Sequence, residues 1–423
     1  MKNKKTPAIR FKGFTDDWEQ RKLPDLLKKS TGAMKIGPFG SALKKDIYVS
    51  RGIKVYAQEN IFKDNFGIGN YYITENKYKE LQSCELFPGD IVISMMGTIG
   101  ACAVFPEHAE KGIMNSHLLR LQFGNDMLPE FVKLLLRDAP SIKIEMEKLS
   151  VGTIMTGLSS TVIKKLNLPV PSIKEQKKIS AFFTALDKSI TLHQRKLEKL
   201  KNFKKAMLEK MFPKNGEKTP EIRFQGFTDD WEQRKFSKIA IMHARIGWQN
   251  LRTSEFLDDG DYYLITGTDF IDGRVDFSQC HYVAKERYNQ DKNIQIDNGS
   301  ILITKDGTLG KVAYVNGLNK PATLNAGVFN VVIKINEVDG KYLYQYLKGP
   351  FLMDYVLKRA TGGTIKHLNQ NILVNFPVEF PSFDEQKKIG ETLQELDNLI
   401  TLHQRKLEKL KQIKKAMLEK MFV

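Results

Sequence analysis

Cysteine is scarce in this sequence of 423 residues: Cys84, Cys102 and Cys280 are odd in number and far apart. They fit neither a disulfide framework nor the paired spacing of a zinc site, and they predict a reduced, cytoplasmic protein. Long apolar runs are also missing. The longest, Ile91 to Phe105, is broken by Gly97 and Gly100 and stops at Pro106, short of the ~20 residues a membrane-spanning helix needs. No apolar segment follows the basic start Met1-Lys-Asn-Lys-Lys-Thr-Pro7, so no signal peptide is expected. The 7 histidines show no metal-ligand spacing. No Gly-x-x-x-x-Gly-Lys-Ser/Thr loop cradles phosphates, and the adenine-methylating tetrapeptide Asn/Asp-Pro-Pro-Tyr/Phe does not occur. Negative charge is short as well: 49 Asp and Glu against 66 Lys and Arg leave +17. That balance favours a polyanionic partner, either nucleic acid or an acidic membrane surface.

What is present is written twice. Thr6-Pro-Ala-Ile-Arg-Phe-Lys-Gly-Phe-Thr-Asp-Asp-Trp-Glu-Gln-Arg-Lys22 recurs, almost unchanged, as Thr219 to Lys235. Ile190 to Lys201 recurs without a change as Ile400 to Lys411, an offset of 210. Weaker matches keep that offset: Gly89 to Ser94 with Gly299 to Thr304, Gly97 to Gly100 with Gly307 to Gly310, and Asn115 with Asn325. The ends of the copies are nearly identical, whereas 24–165 and 237–370 share only a scaffold. Unequal divergence favours two modules held in one frame, each reading something different, over duplication with idle drift.

Periodicity supplies coarse structure. Ile179, Phe183, Leu186, Ile190, His193, Leu197 and Leu200 step by four and three, and so do Ile389, Leu393, Leu396, Ile400, His403, Leu407 and Leu410. Such a seam over several heptads reads as coiled coil, continuing past Lys204 and Lys414. Pro171 and Pro381 precede each helix, and Pro213 follows the first. Between them, short β-rich runs such as Ile91–Ser94 and Val328–Ile335 alternate with Gly and Asn turns. Each copy is thus an α+β globule of mixed helices and strands followed by one long helix. A helix of about 38 residues spans about 57 Å, and two in one chain can pair. His193 and His403 are either a pH-sensitive or partner-contacting pair, or polar seam residues that fix register; the second reading is favoured.

The repeated Ile9-Arg-Phe-Lys-Gly-Phe and Trp18-Glu, Gly152-Thr-Ile with Leu158, Gly363-Thr-Ile with Leu368, and the doubled Pro-x-x-x-Glu-Gln-x-x-Ile before each helix carry a resemblance. Over essentially its whole length the chain resembles the specificity subunits of type I restriction–modification enzymes. The resemblance implies a non-catalytic reader of double-stranded DNA. Two target recognition domains, 1–170 and 219–380, would each bind half of an asymmetric bipartite site. The helices, 171–212 and 381–423 with a linker at 213–218, would form an antiparallel coiled coil that sets the spacer and docks partners. Those partners would be two modification subunits, which use S-adenosylmethionine, and restriction subunits, which use ATP and Mg. The chain itself would hold no cofactor, no metal and no catalytic residue.

The residues accord with that absence of chemistry. Glu75-Asn-Lys77, Glu175-Gln-Lys177 and Glu385-Gln-Lys387 match the Glu-x-Lys of metal-dependent nucleases, but such tripeptides arise by chance in a Lys- and Glu-rich chain. Direct readout needs Arg or Lys for guanine, Asn or Gln for adenine, and apolar contact for thymine. Glycine-rich loops carrying these side chains are therefore the candidates. In the first copy they are Lys35, Phe39, Ser41, Lys44, Lys45, Gln58, Asn60, Met96, Thr98, Asn115 and His117. In the second they are Arg245, Trp248, Gln249, Asn250, Arg252, Thr268, Asp269, Lys305, Asp306, Thr308 and Asn325. Lys35, Lys44, Lys45 and Lys305 suit phosphates. A plain structural alternative stands beside this: Gly97-Thr98 and Gly307-Thr308 as tight turns, Asn115 and Asn325 as turn caps. Phe11, Phe14 and Trp18, with Phe224, Phe227 and Trp231, read as packing anchors.

Charge is uneven. Residues 1–212 hold 36 basic and 22 acidic side chains, and 213–423 hold 30 and 27. The first domain and the helices are expected to dominate salt-dependent affinity. A reading of another class is a coiled-coil scaffold whose basic charge serves a membrane or an RNA. An amphipathic membrane helix would show a broad apolar face, and the stripe here is narrow.

Overall fold

Short runs of β-branched and aliphatic residues bounded by Gly and Asn become the strands. The computed structural model describes residues 6–98, 100–150, 159–214, 216–359 and 368–422. The chain divides into two units, 1–192 with 407–423 and 193–406. The Gly152-Thr-Ile and Gly363-Thr-Ile motifs and Leu158 lie outside the described residues.

In the first unit, Met34–Ile36, Leu118–Leu121, Ile91–Ser94 and Cys102–Val104 form an antiparallel sheet in that order. A second sheet orders Tyr72–Ile73, Ile53–Tyr56 and Gly112–Met114, the last two strands parallel. Ile91–Ser94 is buried along its whole length, because one face packs on the helix Pro129–Asp138 and the other on the second sheet.

The other unit repeats the plan. Ala240–His243, Val328–Ile333, Ile301–Thr304 and Val312–Tyr314 form the first sheet, extended by Arg274–Val275 and Phe270–Ile271. Its second sheet orders His281–Tyr282, Tyr263–Ile265, Ala322–Leu324 and Gln295–Ile296. The added hairpin turns at Asp272 (φ 52°) and Gly273 (φ 84°).

The repeated ends bind each globule to a long helix. Glu19–Lys22 pairs antiparallel with Asn167–Val170, and Glu232–Lys235 with Pro377–Phe380. The helices Ile173–Lys210 and Phe383–Met421 follow, of 38 and 39 residues. Ser172 and Ser382 cap them, each accepting from the amide three residues on. The Glu-Gln motif then has a structural purpose. Glu175 receives Arg10 through two bonds, 2.6 and 2.8 Å, and Glu385 receives Arg223 likewise at 2.8 and 2.8 Å. Gln176 donates to Pro171 O and Asp126 O and accepts from Leu128 N, while Gln386 repeats the set with Pro381, Glu337 and Asp339. Two of the three nuclease-like tripeptides are thus committed to holding a helix against its globule.

Each long helix gives its first half to one unit and its second half to the other. Within the second unit His193 meets His403 and Lys204 meets Asp397; within the first, Phe183 meets Phe422 and Asp187 meets Lys414. In each unit the partner number falls as the other rises, so the helices run antiparallel. The expected seam is the buried stripe: Ile179, Phe183, Leu186, Ile389, Leu393, Leu396, Ile400, His403 and Leu407 are buried, and Ile190, His193, Leu197, Leu200 and Leu410 are partly so. Its early members also line the domain cores. Ile179 and Phe183 pack with Trp18, Phe131 and Phe422, and Ile389 and Leu393 with Phe212, Trp231 and Tyr342. The seam thus faces both a partner helix and a globule, which broadens it beyond a two-stranded coil. His193 and His403 share a hydrogen bond between their Nδ1 atoms at 2.9 Å. Burial, then Lys196, His193 and Lys406, lower the His403 pKa, which favours the neutral ring.

Candidate nucleic-acid interface

The loops singled out from sequence gather at one edge of each unit because the strands that carry them end there. In the first unit Ile36, Tyr56, Ser94 and Met114 close their strands, and the segments 37–45, 57–60, 95–98 and 115–117 follow. These loops are stitched together. Gly37 N donates to Leu118 O at 2.9 Å, and Asn115 N to Tyr56 O at 2.9 Å. Gln58 Nε2 donates to Ser94 Oγ at 2.9 Å and to Met96 O at 3.1 Å. Met95 N donates to His117 O at 2.8 Å. Gly37 is required by contact: a Cβ there would lie 1.7 Å from Asn115 O.

Exposure sorts the expected residues. Phe39 is 88% exposed and Met96 45%. Ser41, Lys44, Lys45, Thr98 and His117 are also exposed, while Lys35, Gln58 and Asn115 are half-buried. Asn115 Oδ1 accepts from His117 N at 3.1 Å, so it caps its turn. Asn60 is buried, and its amide is used up on Ala57 N, Asn65 O and Ile68 O.

In the second unit His243, Ile265, Thr304 and Leu324 end the matching strands. Asn325 N donates to Ile265 O, and Lys305 N to Gly327 O, both at 2.9 Å. A groove of about 560 Å³ opens there, lined by 242–247, Lys305, Asp306, Phe329 and 368–370. Asn250, Arg252, Thr268 and Thr308 are exposed; Lys305, Asp306 and Asn325 are half-buried. Asn325 Oδ1 accepts from Ala326 N at 2.8 Å, again a turn cap. The Trp248 side chain lies outside the described residues.

Arg245, a base-reading candidate by its place in the sequence, is turned inward. Its guanidinium donates to Leu324 O, Gln249 O, Gln290 Oε1 and Thr323 Oγ1. Burial, and then Arg287, lower its pKa. Gln249 is buried beside it. Asp269 is buried too, its carboxylate accepting from Thr266 N and Oγ1, and burial raises its pKa. Asn60, Arg245, Gln249 and Asp269 therefore shape the loops from within, since exposing them would leave buried partners unsatisfied. The candidate contacts narrow to the exposed and half-buried set.

Gly97 (φ 84°) and Gly307 (φ 73°) make the tight turns that carry Thr98 and Thr308 outward, so turn and contact are compatible roles. Two exposed apolar residues escaped the sequence reading: Phe62 at 49%, against Gly97, and Ile246 at 49%, beside Gly247. Phe62 left a signal, since the adjacent Ile61 and Phe62 cannot both face the core from a single helical turn.

The DNA specificity domain of type I restriction–modification systems matches residues 15–202 and again 228–412. From Methanocaldococcus jannaschii, the type I restriction enzyme MjaVIII specificity subunit is 22% identical over 320 residues, 73% of this chain and 73% of that protein. The putative type I restriction enzyme MjaX specificity subunit of the same organism is 23% identical over 411 residues, 95% of this chain and 92% of that one. Among solved structures, the S subunit of a type I restriction–modification system from M. genitalium shares the fold, with a TM-score of 0.63 at 17% identity over 99% of both chains. The two halves of the repeat each carry the domain, and the chain belongs to the family of type I restriction–modification DNA specificity subunits.

Proposed function

We propose that this chain is the DNA-reading subunit of a type I restriction–modification complex, each unit reading one half of an asymmetric bipartite site. The observation that carries this is the paired loop edges: one strand scaffold, repeated at an offset of 210, presents chemically different side chains. Thr98 and Thr308 are common to both edges, while Lys44 and Lys45 stand at the first and Asn250, Arg252 and Thr268 at the second. Different donors at equivalent places suit half-sites of different sequence. The antiparallel helices set the spacer between the halves and dock two modification subunits. S-adenosylmethionine, ATP and Mg belong to those and to the restriction subunits, and this chain contributes no catalysis.

Among the described residues no helix is long and apolar enough to cross a membrane. The test is motif-resolved methylome sequencing of cells carrying the chain, and of cells in which residues 237–370 are exchanged for another second module. One half of a bipartite adenine-methylated motif should change. A change in both halves, or a methylome indifferent to the gene, overturns the proposal.

A further inference from the structure

Phe39 is more exposed than any other large apolar side chain among the described residues, at 88%. A bare ring costs free energy until something covers it. The backbone beneath it is clamped. Pro38 precedes it, and Gly37 is bonded to Leu118 O and seated against Asn115. Phe39 O accepts from Ala42 N at 2.8 Å to close the following turn. A ring thrust outward from a fixed turn is preorganised, so seating it costs little further ordering. From residue 35 to 46 the segment carries three lysines against one carboxylate, Asp46. That charge selects a phosphate-bearing partner over an ordinary protein surface.

We propose that Phe39 is a wedge that enters between two base pairs of the half-site read by the first unit, unstacking that step while Lys44 and Lys45 hold the flanking phosphates. The proposal rests on the reading of this loop edge as the DNA face. Apolar wedges of this kind offset the cost of unstacking by the closer fit of the kinked duplex, and they favour the flexible pyrimidine–purine steps. In the second unit the matching turn, Gly247–Gln249, is entered from Ile246, 49% exposed, as Gly40–Ala42 is entered from Phe39. An aromatic ring stands at this place only in the first unit, and the wedge is assigned to the half-site which that unit reads.

The test uses the full chain with its co-expressed modification subunits and duplexes carrying the mapped motif, with 2-aminopurine placed in turn at each step of both halves. Binding should raise fluorescence severalfold at one step of one half. Phe39→Ala should abolish that rise and weaken specific binding about tenfold. Phe39→Leu should retain much of both, and replacing Lys44 and Lys45 by Gln should reduce the salt slope while sparing the signal. Specific binding with no fluorescence rise at any step overturns the wedge and leaves the DNA-reading function standing. A Phe39→Ala chain that keeps the rise and the affinity but loses a modification subunit overturns it in favour of protein docking. Failure of the unaltered complex to bind any duplex specifically would remove the underlying function and the wedge with it.

Discussion

Two Asp–Lys pairs, each joining one long helix to the other, show how one sequence pattern acquires two characters. In the first unit Lys414 reaches Asp187 at 2.7 Å, and Asp187 is 35% exposed beside Arg137 at 3.1 Å. In the second, Lys204 reaches Asp397 at 2.6 Å, with side chains 9% and 10% exposed. Asp397 also holds Lys348 at 3.2 Å and accepts from Gln345 at 2.8 Å. Burial alone would raise the Asp397 pKa, but Lys348 and Lys204 outweigh it and the net shift is downward. Burial and the neighbouring Lys348 bring Lys204 down to about 8. Identical helix residues thus make a partly exposed bridge in one place and a buried cluster in the other, according to what each globule sets against them.

Removing the aspartates tests that difference with the largest effect. Asp397→Ala leaves the buried Lys204 ammonium and the half-buried Lys348 without a carboxylate and should cost about 3–5 kcal/mol. Asp187→Ala should cost about 1 kcal/mol or less, because water replaces the lost partner. Denaturant unfolding of the two variants reads the gap, and equal losses would break the comparison.

A subtler asymmetry lies at the repeated tryptophans. Trp18 Nε1 donates to Glu175 at 3.2 Å, whereas Trp231 Nε1 is buried without a partner. Both rings pack against aromatics of their own core. Substitution by Phe should therefore destabilise the first position more than the second, by about 1 kcal/mol. Paired thermal melts would show whether the second position is the more tolerant.

The smallest expected effect is at the histidine pair. Since the His403 pKa is lowered in the folded chain, the unfolded chain binds a proton first as pH falls. Stability is complete above the ordinary His value of about 6.5 and declines as pH drops below it toward the folded pKa. His403→Gln should flatten the decline that begins as pH falls through about 6.5. A slope that survives the substitution would assign it to another group.

Much of the architecture was legible in the sequence because it rests on local, periodic information. The four-three stripe located both helices, and the offset of 210 carried Ile91–Ser94 onto Ile301–Thr304. The loop edge was legible only in part. Gly97, Gly307, Asn115 and Asn325 announced turns, but nothing near Arg245 in sequence announced Leu324 and Thr323, some 80 positions on, as the partners of its guanidinium. Arg245 and Lys44 look alike in a list of basic loop residues, yet one is buried and the other exposed.

By itself, then, the sequence determined the repeat, the helix seam and the family. Those follow from residue order, spacing and hydrophobic pattern, which survive without any knowledge of contacts. Only the tertiary structure decided which polar side chains stay exposed at the loop edges and which are consumed within, that Arg10 meets Glu175 and Arg223 meets Glu385, and whether an Asp–Lys pair is partly exposed or lies under a globule. The reason is physical: desolvation and hydrogen-bond satisfaction depend on groups brought together from distant parts of the chain. The cost of burying a charge is set by that assembled neighbourhood, which the seam residues of the two helices share in sequence and do not share in space.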